Sequence, residues 1–304
     1  MTTNIAAIRF VRVVVLLSGA VAAQAQEATI RTNVNLVLLD VGVSTKDGSP
    51  AAGLKKENFE IYDNGRRRPI SNFELGTAAI SFALVIDFSH SMRLRKHGVI
   101  EASRHLFHRL AASDEIGILL FNDDVKTVQP LTLASGLGSS WLVELEGAKP
   151  DGRTAFYDAI SETAVMLSRA RHERRVCILL SDGEDTASST RREAALERMR
   201  AANVTVFSIG LFQPGDIDTD AGLLEKIARD SGGNAFFEVN TNKLSAAFDG
   251  ILADLRARYL LGFAAVESTG ARNPLHRLKV VARDNAGHPL QARARRSYQI
   301  GGVD

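Results

Sequence analysis

The chain has 304 residues, 45% apolar and 24% charged, a globular balance that excludes a largely disordered protein. Its 37 Lys and Arg against 35 Asp and Glu give a net charge of +2. That small excess lies wholly in the first 25 residues, so a nucleic-acid-binding role has no compositional support. A single cysteine, Cys177, excludes an internal disulfide; within RVCILLSD it reads as a small buried hydrophobe.

In chain order, Arg9 and Arg12 precede the apolar run VVVLLSGAVAA and the small-residue site AQA. Together they form a secretory signal peptide over residues 1–25, cleaved after Ala25. The run is shorter than the roughly 20 residues of a spanning helix. The mature chain is therefore expected to be secreted or periplasmic, without a transmembrane anchor. Residues 26–78 carry strand patterns only: NVNLVLLDVGV alternates, Phe59 and Ile61 alternate in FEIY, and Asp47-Gly48 and Asn64-Gly65 are turn dipeptides.

The rhythm changes near residue 79. Apolar strand candidates at 81–87, 115–121, 175–181, 204–210 and 234–238 alternate with helical stretches near 92–112, 154–171, 189–202 and 220–231, and 125–131 reads as an added edge strand. Strand followed by helix, repeated, predicts an α/β fold with a mostly parallel sheet covered on both faces. A last helix ends near Tyr259, with Leu244, Phe248, Ile251 and Leu255 at helical spacing. Over residues 261–304 strand patterns return in YLLGFAAV, HRLKVVARD and RRSYQI. Each terminal β segment alone would leave an apolar face exposed, so the two are expected to pack as a small β-sandwich around the inserted α/β domain. Connection geometry puts that sandwich at the edge opposite the carboxyl ends of the parallel strands.

The stretch FALVIDFSHSM, residues 82 to 92, carries the chemistry. A strand buried on both faces runs straight into Asp87, Ser89 and Ser91, and ligands of open α/β sheets bind outside such strand ends. Two other segments bring oxygen ligands to the same edge: Thr154 in DGRTAFYDAI and Asp182 in ILLSDGEDTAS. Three hydroxyls and two carboxylates suit a hard octahedral cation rather than zinc or copper. Mg²⁺ is the natural candidate, ahead of Mn²⁺ and then Ca²⁺. Two carboxylates only balance the divalent charge, so an ion separated from them by water stays electrophilic enough to accept an outside carboxylate.

These residues resemble the metal-ion-dependent adhesion site of the von Willebrand factor type A domain: D-x-S-x-S as Asp87-Phe88-Ser89-His90-Ser91, then Thr154, then Asp182. The resemblance covers roughly residues 79–260, and with its leader and β-rich flanks the chain resembles the bacterial secreted family related to that domain. It implies a doubly wound, Rossmann-like sheet and metal-mediated protein binding, through an Asp or Glu presented by a protein partner. It also implies that Ser89 and Ser91 coordinate directly, Thr154 directly or through water, and Asp87 and Asp182 mainly through waters. Arg153 departs from the pattern, standing where a Gly is common, and adds a cation beside the site. Asp185, Arg153 and His90 are weaker candidates for supporting the ligands or touching the partner.

Other readings compete. Ser91 and Thr154 are also helix-cap residues. His90 cannot form a nucleophile–base pair with its sequence neighbours, and no G-x-S-x-G elbow or phosphate-binding glycine motif occurs. His105 and His108 share a helical face but lack a third ligand. Phe88, Phe121 and Phe156 read as core, and Trp141 as core or exposed anchor. Arg66–68 and Arg293–296 read as solvated strand or turn residues. The expected function is a non-enzymatic binding module, with a metal-dependent hydrolase or a metal-free scaffold as alternatives.

Overall fold

Alternating apolar residues build the first strand, β1 (Asn35–Ser44), which buries Val37, Leu39, Val41 and Val43 on one side. The computed structural model describes residues 35–76, 78–211, 219–237, 243–265 and 275–299; the expected leader, residues 1–25, lies outside them. After β1 come β2 (Phe59–Asp63), β3 (Arg66–Arg68) and β4 (Ile70–Leu75). Asn64 and Gly65, both at positive φ, make the tight turn between β2 and β3.

β5 (Ile80–Asp87) opens the α/β part, followed by α1 (Lys96–Arg109), β6 (Glu115–Phe121), β7 (Val125–Leu133), α2 (Ser140–Gly147), α3 (Phe156–Ser168) and β8 (Arg174–Ser181). Then come α4 (Arg192–Ala201), β9 (Val204–Gly210), α5 (Ala221–Ser231), β10 (Ala235–Phe237) and α6 (Leu244–Arg256). β11 (Tyr259–Ala265), β12 (Leu275–Arg283), β13 (Pro289–Arg293) and β14 (Ser297–Gln299) complete the described elements.

β10, β9, β8, β5, β6 and β7 form one sheet in that order, parallel except for the antiparallel edge strand β7. Strict alternation sends Phe82, Leu84 and Ile86 of β5 into one core, with α1, α2 and α6. Ala83 and Val85 enter the other, with α3, α4 and α5. Both faces are thus covered, and β5 reads as continuously apolar for that reason. From β5 the chain winds outward through β6 and β7, then returns to β8 and winds the other way through β9 and β10. The order reverses between β5 and β8, the crevice where such sheets hold ligands.

The flanking strands make a second, antiparallel sheet ordered β3-β2-β12-β13-β1-β11-β4, with β14 on β12. The terminal segments share one core, as expected of the small β-sandwich, but their strands are linked in a single hydrogen-bonded order. β1 is long enough to pair with β11 from Asn35 to Val41 and with β13 from Gly42 to Ser44. Only Pro69 separates β3 at one end of the strand order from β4 at the other, so the ends must meet. Phe59 of β2 accordingly packs on Tyr259 of β11 and Phe73 of β4, with ring centroids 5.1 and 5.9 Å away. One core, including Leu39, Ile61, Leu261 and Phe263, serves both halves.

The curled sheet attaches at the amino ends of the parallel strands, as connection geometry requires. Arg174, at the start of β8 and almost fully buried, donates to the carbonyls of Gly76 (2.7 Å), Ala78 (3.2 Å) and Leu255 (2.7 Å), and lies 3.2 Å from Asp40 of β1. Arg258 is fully buried beside it, bonded to Asp254 of α6 (2.9 Å) and to the Gly232 carbonyl (3.0 Å).

Some expectations need correction. The helix expected over 92–112 begins only at Lys96, because His90–Met92 is a 3₁₀ turn and Arg95 bonds back to the Ser91 carbonyl (2.7 Å). Arg293 and Arg295 are not solvated: Arg293 pairs with Asp254 and donates to Ser44 Oγ (3.0 Å), while Arg295 donates to the Leu38 carbonyl (2.9 Å) and covers the Tyr298 ring. Trp141 is core, stacked on Phe107 with centroids 4.0 Å apart. Phe88, Phe121, Phe156 and Cys177 are buried as expected, and burial pushes the Cys177 thiol well above its ordinary pKa. Among the described residues no helix is long and apolar enough to cross a membrane.

Candidate metal centre

β5 delivers Asp87 to the sheet's carboxyl edge with no exposed surface. Its Oδ1 accepts the Ser89 amide (2.9 Å) and its Oδ2 accepts the Ser181 hydroxyl at the end of β8 (2.8 Å). The peptide then turns. The Phe88 amide donates to Phe121 O (2.7 Å), Phe88 O accepts the Asp151 amide (3.0 Å), and the His90 amide donates to Gly152 O (3.2 Å). The loop carrying the serines is thus pinned between β6 and the segment leading into α3.

Ser91 Oγ donates to Asp182 Oδ2 (2.8 Å) and lies 3.1 Å from Ser89 Oγ. Each hydroxyl has one proton, so with Ser91 donating to Asp182, Ser89 donates to Ser91 and keeps its lone pairs free. Asp182 is aimed by the turn after β8. Its Oδ1 accepts the Glu184 amide (3.2 Å), its carbonyl accepts the Asp220 amide (3.0 Å), and the Gly183 amide bonds Ser181 Oγ (3.0 Å). Gly183 has φ +87°, and a Cβ there would sit 2.7 Å from Asp220 O, so only glycine fits this turn.

Thr154 is buried just before α3 and joined to the Asp182 loop by its backbone. Its amide donates to Thr186 Oγ1 (3.0 Å), and its carbonyl accepts the Thr186 (2.9 Å) and Ala187 (3.1 Å) amides. Asp87, Ser89, Ser91 and Asp182 therefore share one connected set of hydrogen bonds, and Thr154 enters through the main chain. Ser91 is the exposed member, so the cluster opens to solvent there.

The weaker candidates lie around it. Asp185 accepts the Phe156 amide (3.0 Å) and the Ser188 hydroxyl. Arg153 gives its guanidinium to Asp123 (2.9 Å). His90 is exposed, with Nδ1 3.6 Å from Asp151, whose carboxylate also holds Arg93 (2.9 Å). Arg153 and Arg93 are thus engaged by Asp123 and Asp151, while Arg95 donates to the Ser91 carbonyl (2.7 Å). His105 bonds Asp249 (3.0 Å) and brings no third ligand. Sequence reading missed Ser181, Thr186 and Ser188; the only trace was the density of hydroxyls in SDGEDTASST.

Electrostatically the cluster is frustrated. Burial first, then the Asp182 charge, push the Asp87 carboxyl up to about 6, against the hydrogen bonds from Ser89 and Ser181. A cation relieves both causes. Among the described residues no three His, Cys, Asp or Glu side chains cluster so that they could hold a metal ion by themselves. The donor set of two carboxylates and neighbouring hydroxyls fits a hard divalent ion.

This doubly wound sheet with a D-x-S-x-S turn at its switch point defines a class of domain. Residues 82–250 match the von Willebrand factor type A domain, and the chain belongs to that family. No curated protein sequence matches the chain. Among solved structures it is similar to the von Willebrand factor type A protein from Catenulispora acidiphila, with a TM-score of 0.52 at 13% identity, over 90% of this chain and 75% of that one. It is also similar to proximal thread matrix protein 1 from the mussel byssus, solved with a zinc-occupied MIDAS motif. That likeness has a TM-score of 0.51 at 18% identity and covers 64% of this chain but only half of the mussel protein's. At such identities the likeness is one of fold.

Proposed function

We propose that the chain is an exported binding module that holds a divalent cation with Ser89, Ser91, Thr154, Asp87 and Asp182 and captures a partner protein through its Asp or Glu. The observation that carries this reading is the connected set of hydrogen bonds that joins the buried Asp87 carboxylate to Ser89, Ser91 and Asp182 at adjacent strand ends. Two carboxylates set among hydroxyls in a crevice are the arrangement that a hard cation would neutralise. When bound, the ion supplies a residual positive charge to which an outside carboxylate is attracted. Mg²⁺ is favoured because every donor is oxygen, Mn²⁺ follows and Ca²⁺ is less suited; the mussel protein's zinc-occupied site makes Zn²⁺ worth including in the assay. A hydrolase would need a general base, and the nearest imidazole, His90, is exposed and faces Asp151. Export follows from the leader at residues 1–25, and the domain limits go with it: 79–260 for the binding domain, 26–78 and 261–304 for the β segments.

The test is calorimetric titration of the mature protein with Mg²⁺, Mn²⁺, Ca²⁺ and Zn²⁺, beside Ser89→Ala. A pull-down from the extracytoplasmic fraction follows, in Mg²⁺ or EDTA. Saturable binding lost in Ser89→Ala, with capture that needs Mg²⁺, is expected. Capture unchanged by EDTA and by Ser89→Ala would overturn the reading.

A further inference from the structure

α3 begins without a cap of its own, because Ala155 has no side-chain acceptor to offer. The loop after β8 provides one. Asp185 accepts the Phe156 amide (3.0 Å), and Ser188 Oγ accepts the Tyr157 (2.9 Å) and Asp158 (3.2 Å) amides while donating to Asp185. In return the Asp158 carboxylate accepts the Ser189 and Thr190 amides, one on each oxygen, at 2.8 Å. This is the reciprocal exchange of a capping box, made between segments 29 to 32 residues apart instead of within one turn.

The residues on either side of this latch are cation-site candidates. Thr154 stands two residues before α3, and Asp182 three residues before Asp185. Thr186 and Ala187, inside the latched loop, bond the Thr154 carbonyl. Neither Asp158 nor Ser188 is bonded to Asp87, Ser89, Ser91 or Asp182, so whatever they do for the site they do through the loop.

We infer that Asp158 is a positioning residue for the cation site: by fastening the β8–α4 loop to the first turn of α3 it holds Thr154 and Asp182 as one rigid unit, against which the serine loop is set. This rests on the cation reading above. Asp158→Ala leaves two amides without acceptors and frees one side of the box; Ser188→Ala frees the other. Because both act on one latch, their effects on the cation are not additive.

Two measurements on the full mature chain test the inference. Amide hydrogen exchange without metal is expected to quicken severalfold at Thr186 and Ala187 in Asp158→Ala, although neither amide bonds Asp158. Titration with Mg²⁺ is expected to show affinity about 10-fold weaker, the usual effect of removing a group that orients ligands. Ser188→Ala does the same, and the double variant is little worse than either. A control, Ile61→Val in the core of the curled sheet, lowers stability and leaves Mg²⁺ affinity as it was. Unchanged exchange at Thr186 and Ala187, or quickened exchange with unchanged Mg²⁺ affinity, would overturn the assignment. If the unmodified chain takes up no Mg²⁺, the cation reading falls and the role of Asp158 with it, while the exchange data still decide whether the latch exists.

Discussion

Asp87→Asn should make the metal-free protein more stable, which is unusual for a change at a fully buried polar residue. The rise of the carboxyl from 3.8 to about 6 corresponds to about 3 kcal/mol of native-state cost at pH 7, at 1.36 kcal/mol per unit. Asparagine removes the charge, keeps the contact with Ser89 and reverses the one with Ser181, whose hydroxyl proton must then turn elsewhere. Its Oδ1 can accept the Ser89 amide, and its Nδ2 can donate to Ser181 Oγ, whose lone pairs serve both it and the Gly183 amide. For a domain of this size that gain is worth about 5–10 °C in Tm. The sign follows from proton binding. A raised native pKa means the folded state holds the proton more tightly, so wild-type stability falls as pH rises from 3.8 through about 6. The advantage of Asp87→Asn should therefore be full at pH 7 and gone near pH 4. Thermal melts in EDTA at pH 4, 5, 6 and 7 read both features. Mg²⁺ at 1,000 times Kd then reverses the order, since it adds about 4.1 kcal/mol to a protein that binds it, more than the advantage of the variant. An Asp87→Asn variant less stable than wild type in EDTA at pH 7 would refute the view of Asp87 as a strained, uncompensated charge.

The same titration makes Mg²⁺ affinity pH-dependent. It should weaken as pH drops through about 6, with proton release on binding, measurable by calorimetry in buffers of different ionisation enthalpy. Arg174→Ala should cost about 3–5 kcal/mol, because it leaves Asp40 only its longer contact with Arg258 (3.5 Å) and strands three carbonyls at the junction of the two sheets, and urea denaturation followed by far-UV circular dichroism measures it. Its effect on Mg²⁺ affinity in the folded state should be small, since the junction lies at the opposite edge from Asp87.

The parallel strands were legible because each is a short apolar run closed by polar residues, and β6 and β9 fall on the expected limits. The fragments of the candidate site were legible as neighbours because they end strands or begin helices, so topology brings them to one edge. What escaped depends on partners distant in sequence. β13, PLQAR, starts with proline and carries polar residues at alternate positions, and only pairing with β1 and β12 makes it a strand. α2 has eight residues and no side-chain cap, and is held by Trp141 packing on Phe107. The curl of the antiparallel sheet follows from β1 serving two neighbours, which alternation along one strand cannot reveal. Arg293 and Arg295 look like surface charge in sequence because their acceptors, Asp254 and Leu38 O, lie in other elements.

The two edges of the parallel sheet carry buried charge of different kinds, and the difference separates structural from functional groups. At the amino edge Arg174, Arg258 and Arg293 interleave with Asp40 and Asp254, and carbonyls take several of the other donors, so each carboxylate is paired with arginine inside the protein. Such a network fixes how two sheets meet and needs nothing from solution. At the carboxyl edge two carboxylates share hydroxyls with each other's neighbours, while the adjacent Arg93 and Arg153 are bound to Asp151 and Asp123. A fold that pairs its carboxylates with arginine at one edge and sets two among hydroxyls at the other bears a cost to its own stability, which on the reading proposed above a cation would offset. Metal should accordingly stabilise the chain more at pH 7 than at pH 5, where a proton on Asp87 already does part of the cation's work.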